Sequence, residues 1–186
     1  HQALSRREFS LHYQPQIETD SGRVLGVEAL LRWKNPVLGE VVPARFIPVA
    51  EDSGLIVPIG AWVLDEACRQ AQAWRQSGWP ELAMSVNLSA LQFRRAGLIE
   101  TVASALKRSG LPPHLLELEL TESILLQDVE NNLDTVRKLK ALGVRLSIDD
   151  FGTGYSSLSY LKRFAVDRLK IDRAFVRDIN LDPDDA

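Results

Sequence analysis

Cysteine is almost absent from this 186-residue chain, which has Cys68 alone. A single cysteine excludes an intrachain disulfide and a cysteine-based zinc site. The three histidines, His1, His12 and His114, have no close pairing, and this argues against a histidine-rich metal site. Because Cys68 lies among alanines and tryptophans of a helical stretch, we expect a structural role for it rather than a nucleophilic one.

Long hydrophobic runs and a strong net charge are also missing. No apolar run reaches the length of a membrane span, and no signal peptide opens the chain. A net charge of -3 provides no basic field that would attract polymeric nucleic acid or a membrane surface. We therefore expect one cytoplasmic domain over residues 1–186. The lack of an initiator methionine indicates a piece of a longer protein, which can itself be membrane-tethered.

Strand-like and helix-like segments alternate along the chain. Asp20-Ser21-Gly22 supplies turn chemistry between two strand-like segments at 9–17 and 24–33, which predicts an antiparallel hairpin. The remaining predicted elements are strands at 82–89, 115–121, 144–150 and 167–171, and helices at 44–51, 58–76, 98–108 and 129–142. This order predicts an α/β fold, a TIM-like (β/α) barrel with an antiparallel first strand. A complete barrel has eight strands and about 250 residues, so we expect the C-terminal strands to be missing here.

Each predicted strand has an apolar face and a face that bears polar groups. An antiparallel sheet with one wet face gives the same pattern. The intervening helices need an apolar sheet face to cover, however, and this favours polar faces that meet inside a barrel. The side chains expected to converge near the C-terminal strand ends are Gln14, Glu28, Asn87, Glu119, Asp149, Asp150 and Lys170.

The pair Asp149-Asp150 ends one predicted strand and opens into a glycine-containing loop. Two carboxylates this close repel each other unless a proton or a cation lies between them, and oxygen-rich clusters suit Mg²⁺ or Mn²⁺. Lys170 is placed to orient a water molecule, and Arg32 shares a face with Glu28 and suits a phosphate. Phosphodiester hydrolysis is a sensible use of such a set.

Each residue also has a structural interpretation. Glu28 can pair with Arg32, and Asn87 can cap the helix that follows it. Glu119 can be a solvated strand residue, which is the interpretation we favour for Glu117. Lys170 can be an ordinary surface lysine, Asp149-Asp150 can form a turn, and Gly152 and Gly154 can form a tight turn.

Several short motifs occur together in this order and with compatible spacing. They are Val27-Glu28-Ala29-Leu30-Leu31-Arg32-Trp33, Phe46-Ile47-Pro48-Val49-Ala50-Glu51, Asn87-Leu88-Ser89, Glu119-Leu120-Thr121-Glu122-Ser123, Asp149-Asp150-Phe151-Gly152-Thr153-Gly154 and Lys170-Ile171-Asp172. As a set they make the chain resemble an EAL domain, the bacterial cyclic-di-GMP phosphodiesterase module, over essentially its whole length.

The resemblance implies hydrolysis of cyclic di-GMP to linear pGpG with two divalent cations, Mg²⁺ or Mn²⁺. It implies that Glu28, Asn87, Glu119 and Asp149 hold one cation, and that Asp149 and Asp150 help to hold the second. Lys170 would contact the catalytic water, which makes Lys170, Glu28 and Asp149 the expected catalytic residues. The resemblance further implies that Gln14, Leu30 and Arg32 contact the dinucleotide. Glu122, Gly152 and Thr153 would position the loop after Asp150, and a homodimer is expected.

Two later motifs of the family, one with a glutamate and one with a glutamine, do not occur in this sequence. We therefore expect residues 1–186 alone to be inactive or nearly so, and the parent protein to be active. Two other functions remain open. One is a cyclic-di-GMP receptor that binds without hydrolysis, and the other is an unrelated barrel lyase or isomerase with one metal.

Overall fold

A hairpin opens the fold, as the sequence predicts. The computed structural model describes residues 2–151 and 163–172. Strands β1 (Phe9–Ile17) and β2 (Val24–Asn35) pair antiparallel. A short strand, β3 (Gly39–Val41), extends the end of β2. The sequence did not indicate β3, because three residues are too few for an alternating pattern to be recognised.

Strands and helices alternate after the hairpin. They are α1 (Pro43–Asp52), α2 (Ile56–Gln76), β4 (Ala83–Asn87), α3 (Ala90–Arg94), α4 (Leu98–Ser109), β5 (Leu116–Thr121), α5 (Glu122–Leu126), α6 (Val129–Ala141), β6 (Arg145–Phe151) and β7 (Arg168–Ile171). In the described ranges the sheet has the order β1-β2-β4-β5-β6-β7, and β2, β4, β5, β6 and β7 run parallel. The predicted antiparallel first strand and parallel β/α repeat are therefore confirmed.

The two end strands of the sheet approach each other across its polar face. Arg168 on β7 donates from Nη1 to Oε1 of Gln16 on β1 at 2.9 Å, although β1 and β7 are at opposite ends of the strand order. Side chains from the two ends of a flat six-strand row could not meet, because neighbouring strands are about 4.8 Å apart. The sheet therefore curls around its polar face in the manner of a barrel wall.

The apolar faces of the parallel strands form the core beneath the helices. Leu116, Leu118 and Leu120 of β5 are completely buried, as are Leu146 and Ile148 of β6. Helix α2, whose apolar residues recur at helical spacing, packs on the β4 and β1 part of the sheet, and α5 packs on β5 and β6. This packing holds the backbone of each strand firmly, and it orients the opposite, polar face.

Short helices at two strand ends were not expected from the sequence. Ser89 is the N-cap of α3, where its Oγ accepts from the Gln92 backbone N–H and the Gln92 side chain accepts from the Ser89 backbone N–H. This capping box ends β4 at Asn87, two residues before the predicted end. Helix α5 begins directly after Thr121, where β5 ends. None of the helices within residues 2–151 and 163–172 has the length and apolar character needed to cross a membrane.

Cys68 is expected to be chemically inert in the folded protein. Its side chain is fully buried in α2, and burial raises the pKa of the thiol to about 12, with a smaller contribution from Asp65. Because the thiolate is the reactive species, a disulfide reagent should label the native protein far more slowly than the protein unfolded in guanidinium chloride. The measurement is release of the coloured thiol product over time. Equal rates in both conditions would contradict the structural role of Cys68.

Candidate functional site

The ammonium group of Lys170 lies among three carboxylates on the polar face of the sheet. Its Nζ is 2.7 Å from Glu119 Oε2, 3.1 Å from Glu28 Oε2 and 3.4 Å from Asp149 Oδ1. The acids come from β2, β5 and β6, and the lysine comes from β7. Because three oxygens lie within 3.4 Å of one nitrogen, the carboxylates are close neighbours. The convergence that the strand phases predict is therefore present, and we call these four residues with Asn87 the acid cluster.

Asn87 belongs to the acid cluster through Glu28. Its Nδ2 donates to Glu28 Oε1 at 2.8 Å. The following helix is capped by Ser89, so the interpretation of Asn87 as a helix cap is wrong. Glu28 bonds to Asn87 and Lys170, whereas Arg32 donates from Nη1 to the Leu31 carbonyl oxygen at 3.0 Å. The predicted alternative of a Glu28–Arg32 pair is therefore also wrong.

A bulge in β6 allows the two adjacent aspartates to share one neighbourhood. Ile148 pairs with Leu169 and Phe151 pairs with Ile171, so β6 has one more residue than β7 between these points. The extra residue interrupts the strict alternation of side chains between the two faces. Asp150 has a φ of 55°, in the left-handed region that residues other than glycine rarely adopt. Such strain persists where the surrounding structure enforces it, frequently at functional sites.

Asp150 experiences the charges of this neighbourhood. Partial burial raises the pKa of its carboxyl group, the negative charges of Asp149 and Asp172 raise it further, and Lys170 opposes them. The two adjacent carboxylates therefore repel each other as the sequence suggests. A positive charge placed between them would reverse this effect.

Glu119 is the most deeply buried acid of the cluster. Its side chain is completely buried, and burial raises its pKa to about 7 despite the hydrogen bond and charge of Lys170. For Lys170, burial disfavours the charged form, but the bonds and charges of Glu119 and then Glu28 outweigh it and raise the pKa of the ammonium group. Lys170 is thus held firmly as a cation, whereas ionisation of Glu119 is costly. The interpretation of Glu119 as a solvated strand residue and that of Lys170 as a surface lysine are both wrong.

The donor set of the acid cluster fits a hard divalent cation. Mg²⁺ and Mn²⁺ prefer carboxylate and amide oxygens, which Glu28, Asn87, Glu119 and Asp149 supply. Glu119 Oε1 is buried and has no hydrogen-bond partner among the described residues, so one oxygen of the set lacks a compensating contact. In the described part of the chain no three acidic, histidine or cysteine side chains stand in the arrangement of a metal site. The positive charge present among the acids is that of Lys170.

The predicted substrate-contacting residues lie beside the acid cluster. Gln14 is exposed on β1 and stands opposite Glu28 in the strand register. Leu30 and Arg32 line a cavity of about 290 Å³ together with Asn87. This volume is close to the lower limit of small-molecule pockets, roughly 300 Å³. These three residues therefore lie on the same side of the sheet as Glu28 and Asn87, and their role in binding remains a prediction.

The predicted loop-positioning residues are described only in part. Glu122 is buried at the first position of α5, directly after the end of β5. Gly152 and Thr153 lie outside the described residues. The position of Glu122 next to the strand that carries Glu119 is compatible with the predicted role.

A second set of polar residues lies one step below the acid cluster, and sequence reasoning missed its importance. The prediction of a solvated Glu117 is wrong, because its side chain is only 1% exposed and forms an ion pair with Arg168, at 3.3 Å between Oε1 and Nη1. Gln16 accepts from Arg168 and donates to Ser85 Oγ at 3.3 Å. We call Gln16, Ser85, Glu117 and Arg168 the lower polar layer. Its signal in the sequence was the strand phase, since Glu117 shares a face with Glu119.

Comparison with known proteins agrees with the motifs. A family model described as the EAL domain matches residues 1–186. The chain is 53% identical over 185 residues to the bifunctional diguanylate cyclase/cyclic di-GMP phosphodiesterase MucR of Pseudomonas aeruginosa. This alignment covers 100% of the chain and 27% of MucR. The chain thus spans about a quarter of the length of this curated relative.

Two solved structures resemble the fold closely. A complex of the PaMucR phosphodiesterase with c-di-GMP has a TM-score of 0.94 at 53% identity, and it covers 99% of this chain and 74% of that chain. The FimX EAL domain from Pseudomonas aeruginosa bound to c-di-GMP has a TM-score of 0.83 at 31% identity, with 96% of this chain and 72% of that chain covered. By the match of the family model over its whole length, the chain belongs to the EAL domain family.

Proposed function

We propose that this domain hydrolyses cyclic di-GMP to linear pGpG with the help of divalent cations held by the acid cluster. The observation that carries the proposal is the convergence of Glu28, Glu119 and Asp149 within 3.4 Å of Lys170 Nζ. The likeness to a phosphodiesterase solved with c-di-GMP supports the choice of substrate. Further support comes from the motif positions of the acid cluster, which all carry the residues that cation chemistry needs.

The proposed cation ligands are Glu28, Asn87, Glu119 and Asp149, with Asp150 contributing to a second ion. The amide nitrogen of Asn87 faces Glu28, and a half-turn of the amide group would present its oxygen instead. Bound Mg²⁺ or Mn²⁺ would offset negative charge on the phosphate and make water a better nucleophile near neutral pH. The carboxylates that now repel one another would then be neutralised.

Lys170 would act as a hydrogen-bond donor in this proposal. Its raised pKa keeps all three N–H bonds at neutral pH, so it does not serve as a proton acceptor. With its stem held by β7 and its Nζ among the acids, it is placed to orient a water molecule or to contact a phosphate oxygen. Leu30, Arg32 and Gln14 would hold the dinucleotide at the adjacent edge, where the Arg32 guanidinium suits a phosphate.

The second candidate function is binding of cyclic di-GMP without hydrolysis. It is favoured by the likeness to the FimX EAL domain that was solved bound to c-di-GMP, to which the chain is 31% identical. The sequence also predicts a homodimer and a cytoplasmic location, and both remain predictions. Light scattering would measure the oligomeric state.

Product analysis separates the two functions. The longest natural polypeptide that contains these residues is incubated with cyclic di-GMP in Mg²⁺, in Mn²⁺ and in excess chelator, and the products are resolved by ion-exchange chromatography and mass spectrometry. We expect pGpG to form with a cation and not with the chelator. Residues 1–186 are assayed in parallel, since the sequence predicts little or no turnover for them alone.

Calorimetric titration with cyclic di-GMP distinguishes a protein that binds the dinucleotide without hydrolysing it from a protein that does not bind it. Binding of cyclic di-GMP together with cation binding, but without any pGpG after prolonged incubation, would assign the receptor function instead. Failure to bind the dinucleotide under every condition would contradict both functions.

A further inference from the structure

The lower polar layer holds a buried negative charge directly below the acid cluster. Glu117 is two residues before Glu119 on β5, and Arg168 is two residues before Lys170 on β7, so each lies on the same face as its neighbour above. Lys170 Nζ already reaches Glu119 at 2.7 Å, and Glu117 lies one step of about 6.6 Å below Glu119 along β5. Glu117 is therefore the next carboxylate below the Lys170 ammonium group on this face.

Arg168 is placed to prevent a pairing of Lys170 with Glu117. Its Nη1 is 3.3 Å from Glu117 Oε1 and also donates to Gln16 at 2.9 Å. Neither oxygen of Glu117 is in hydrogen-bond geometry with another described residue, so Glu117 depends on the ion pair for compensation. Arg145 also stands opposite Glu117, in the β5–β6 register. Within the described residues, however, Glu117 forms its ion pair with Arg168.

We propose that Glu117 and Arg168 are positioning residues: Arg168 neutralises the buried Glu117 and thereby keeps the Lys170 ammonium group on the acid cluster. Without Arg168, an uncompensated buried carboxylate would attract the nearest mobile cation. Two cations face that position: Lys170, one step above Arg168 on the same face of β7, and Arg145, opposite Glu117 on β6. We assign the response to Lys170, and the Arg145→Met variant tests the other assignment. The effect on turnover rests on the proposed function, whereas the effect on Lys170 itself does not.

The first test measures Lys170 directly, in chelator and without nucleotide. Lysine side chains are acetylated with a small amine-reactive ester, and the labelling rate of each is followed by mass spectrometry. In Arg168→Met we expect the Lys170 labelling rate to rise by on the order of tenfold, because one carboxylate holds an ammonium group less strongly than the three that surround it in the wild type, and tenfold corresponds to one unit of amine pKa. Removing both charged groups in Glu117→Gln/Arg168→Met is expected to return the rate to that of the wild type.

The second test measures hydrolysis in the same variants. Supporting groups around a metal site typically contribute 10- to 100-fold, so we expect kcat for cyclic di-GMP to fall roughly 10-fold or more in Arg168→Met with little change in KM. The double variant should recover most of this loss. A role in stability alone would lower the melting temperature and leave both kcat and the Lys170 labelling rate unchanged.

Arg145→Met is the matched control, since it removes the other arginine that faces Glu117. It should leave the Lys170 labelling rate and kcat at their wild-type values. An equal effect of Arg145→Met and Arg168→Met, or no rescue in the double variant, overturns the proposal. If the wild type binds cyclic di-GMP without hydrolysis, the proposed function fails, while the labelling experiment still decides the role of Arg168. Where Arg168→Met folds poorly, Arg168→Lys keeps the charge and should preserve wild-type labelling.

Discussion

Turnover of cyclic di-GMP is expected to fall by roughly 100-fold or more in the Lys170→Met variant, the range typical of a lost hydrogen-bond donor that faces the reacting atoms. Methionine keeps most of the length of the side chain and removes its charge and its hydrogen-bond donors. The loss should appear mainly in kcat, because the dinucleotide-contacting residues that we propose are left intact. Steady-state kinetics in saturating Mg²⁺ or Mn²⁺ measures it.

The same variant should be less stable in chelator. Its three carboxylates would lose their shared counter-charge, and breaking a buried ion pair typically costs roughly 3–5 kcal/mol. Since 24% of the Lys170 side chain is exposed, we expect a smaller loss, about 2 kcal/mol of unfolding free energy. Addition of Mn²⁺ should recover much of it, because an ion that binds only the folded state stabilises that state. Denaturant unfolding with and without the metal tests both statements.

Lys138→Met serves as the control for Lys170. Lys138 forms an exposed ion pair with Asp134 on α6, and surface pairs of this kind contribute at most about 1 kcal/mol. The Lys138→Met variant should therefore match the wild type in turnover and in denaturant unfolding. Wild-type turnover in Lys170→Met, together with unchanged stability in chelator, would show that the contacts of Lys170 have no functional consequence.

Glu119→Gln is expected to lose activity by roughly 100-fold or more, comparable to removal of a main electrostatic contact in other active sites. The two side chains have the same shape, but the amide cannot supply the charge that a divalent cation requires. Affinity for Mn²⁺, measured by calorimetry, should fall together with turnover. Glu100→Gln, on the exposed side of α4, is the control that should leave both quantities unchanged.

Unlike Lys170→Met, this variant should not lose stability in chelator. The pKa of Glu119 is about 7 in the folded protein against an ordinary value of 4.5, so the folded state retains a proton that the unfolded chain releases. The contribution of this group to stability is full below pH 4.5, decreases as the pH rises to about 7 and stays low above that. Glutamine cannot titrate, so this pH dependence should be missing from the variant. A parallel pH profile for both proteins would contradict the assigned burial of Glu119.

The order of elements and the membership of the acid cluster could be predicted from the sequence. Both depend on local patterns: helical and strand periodicity, turn residues, and the alternation that places Glu119 and Lys170 on the polar faces of their strands. Short elements such as β3 and α5 were missed because they contain too few residues for a periodic pattern. The limits of β4 were displaced by the capping box at Ser89.

The chemistry available on each strand face follows from the amino-acid sequence, because the two-residue period of a strand is a local property. The folding of the whole sheet sets which charges are paired. It placed Arg168 against Glu117 and Lys170 against three acids, and it added the β6 bulge that lets Asp149 and Asp150 share one neighbourhood. The reason is physical: burial and ion pairing depend on the curvature and register of a whole sheet, which no single segment of the chain encodes.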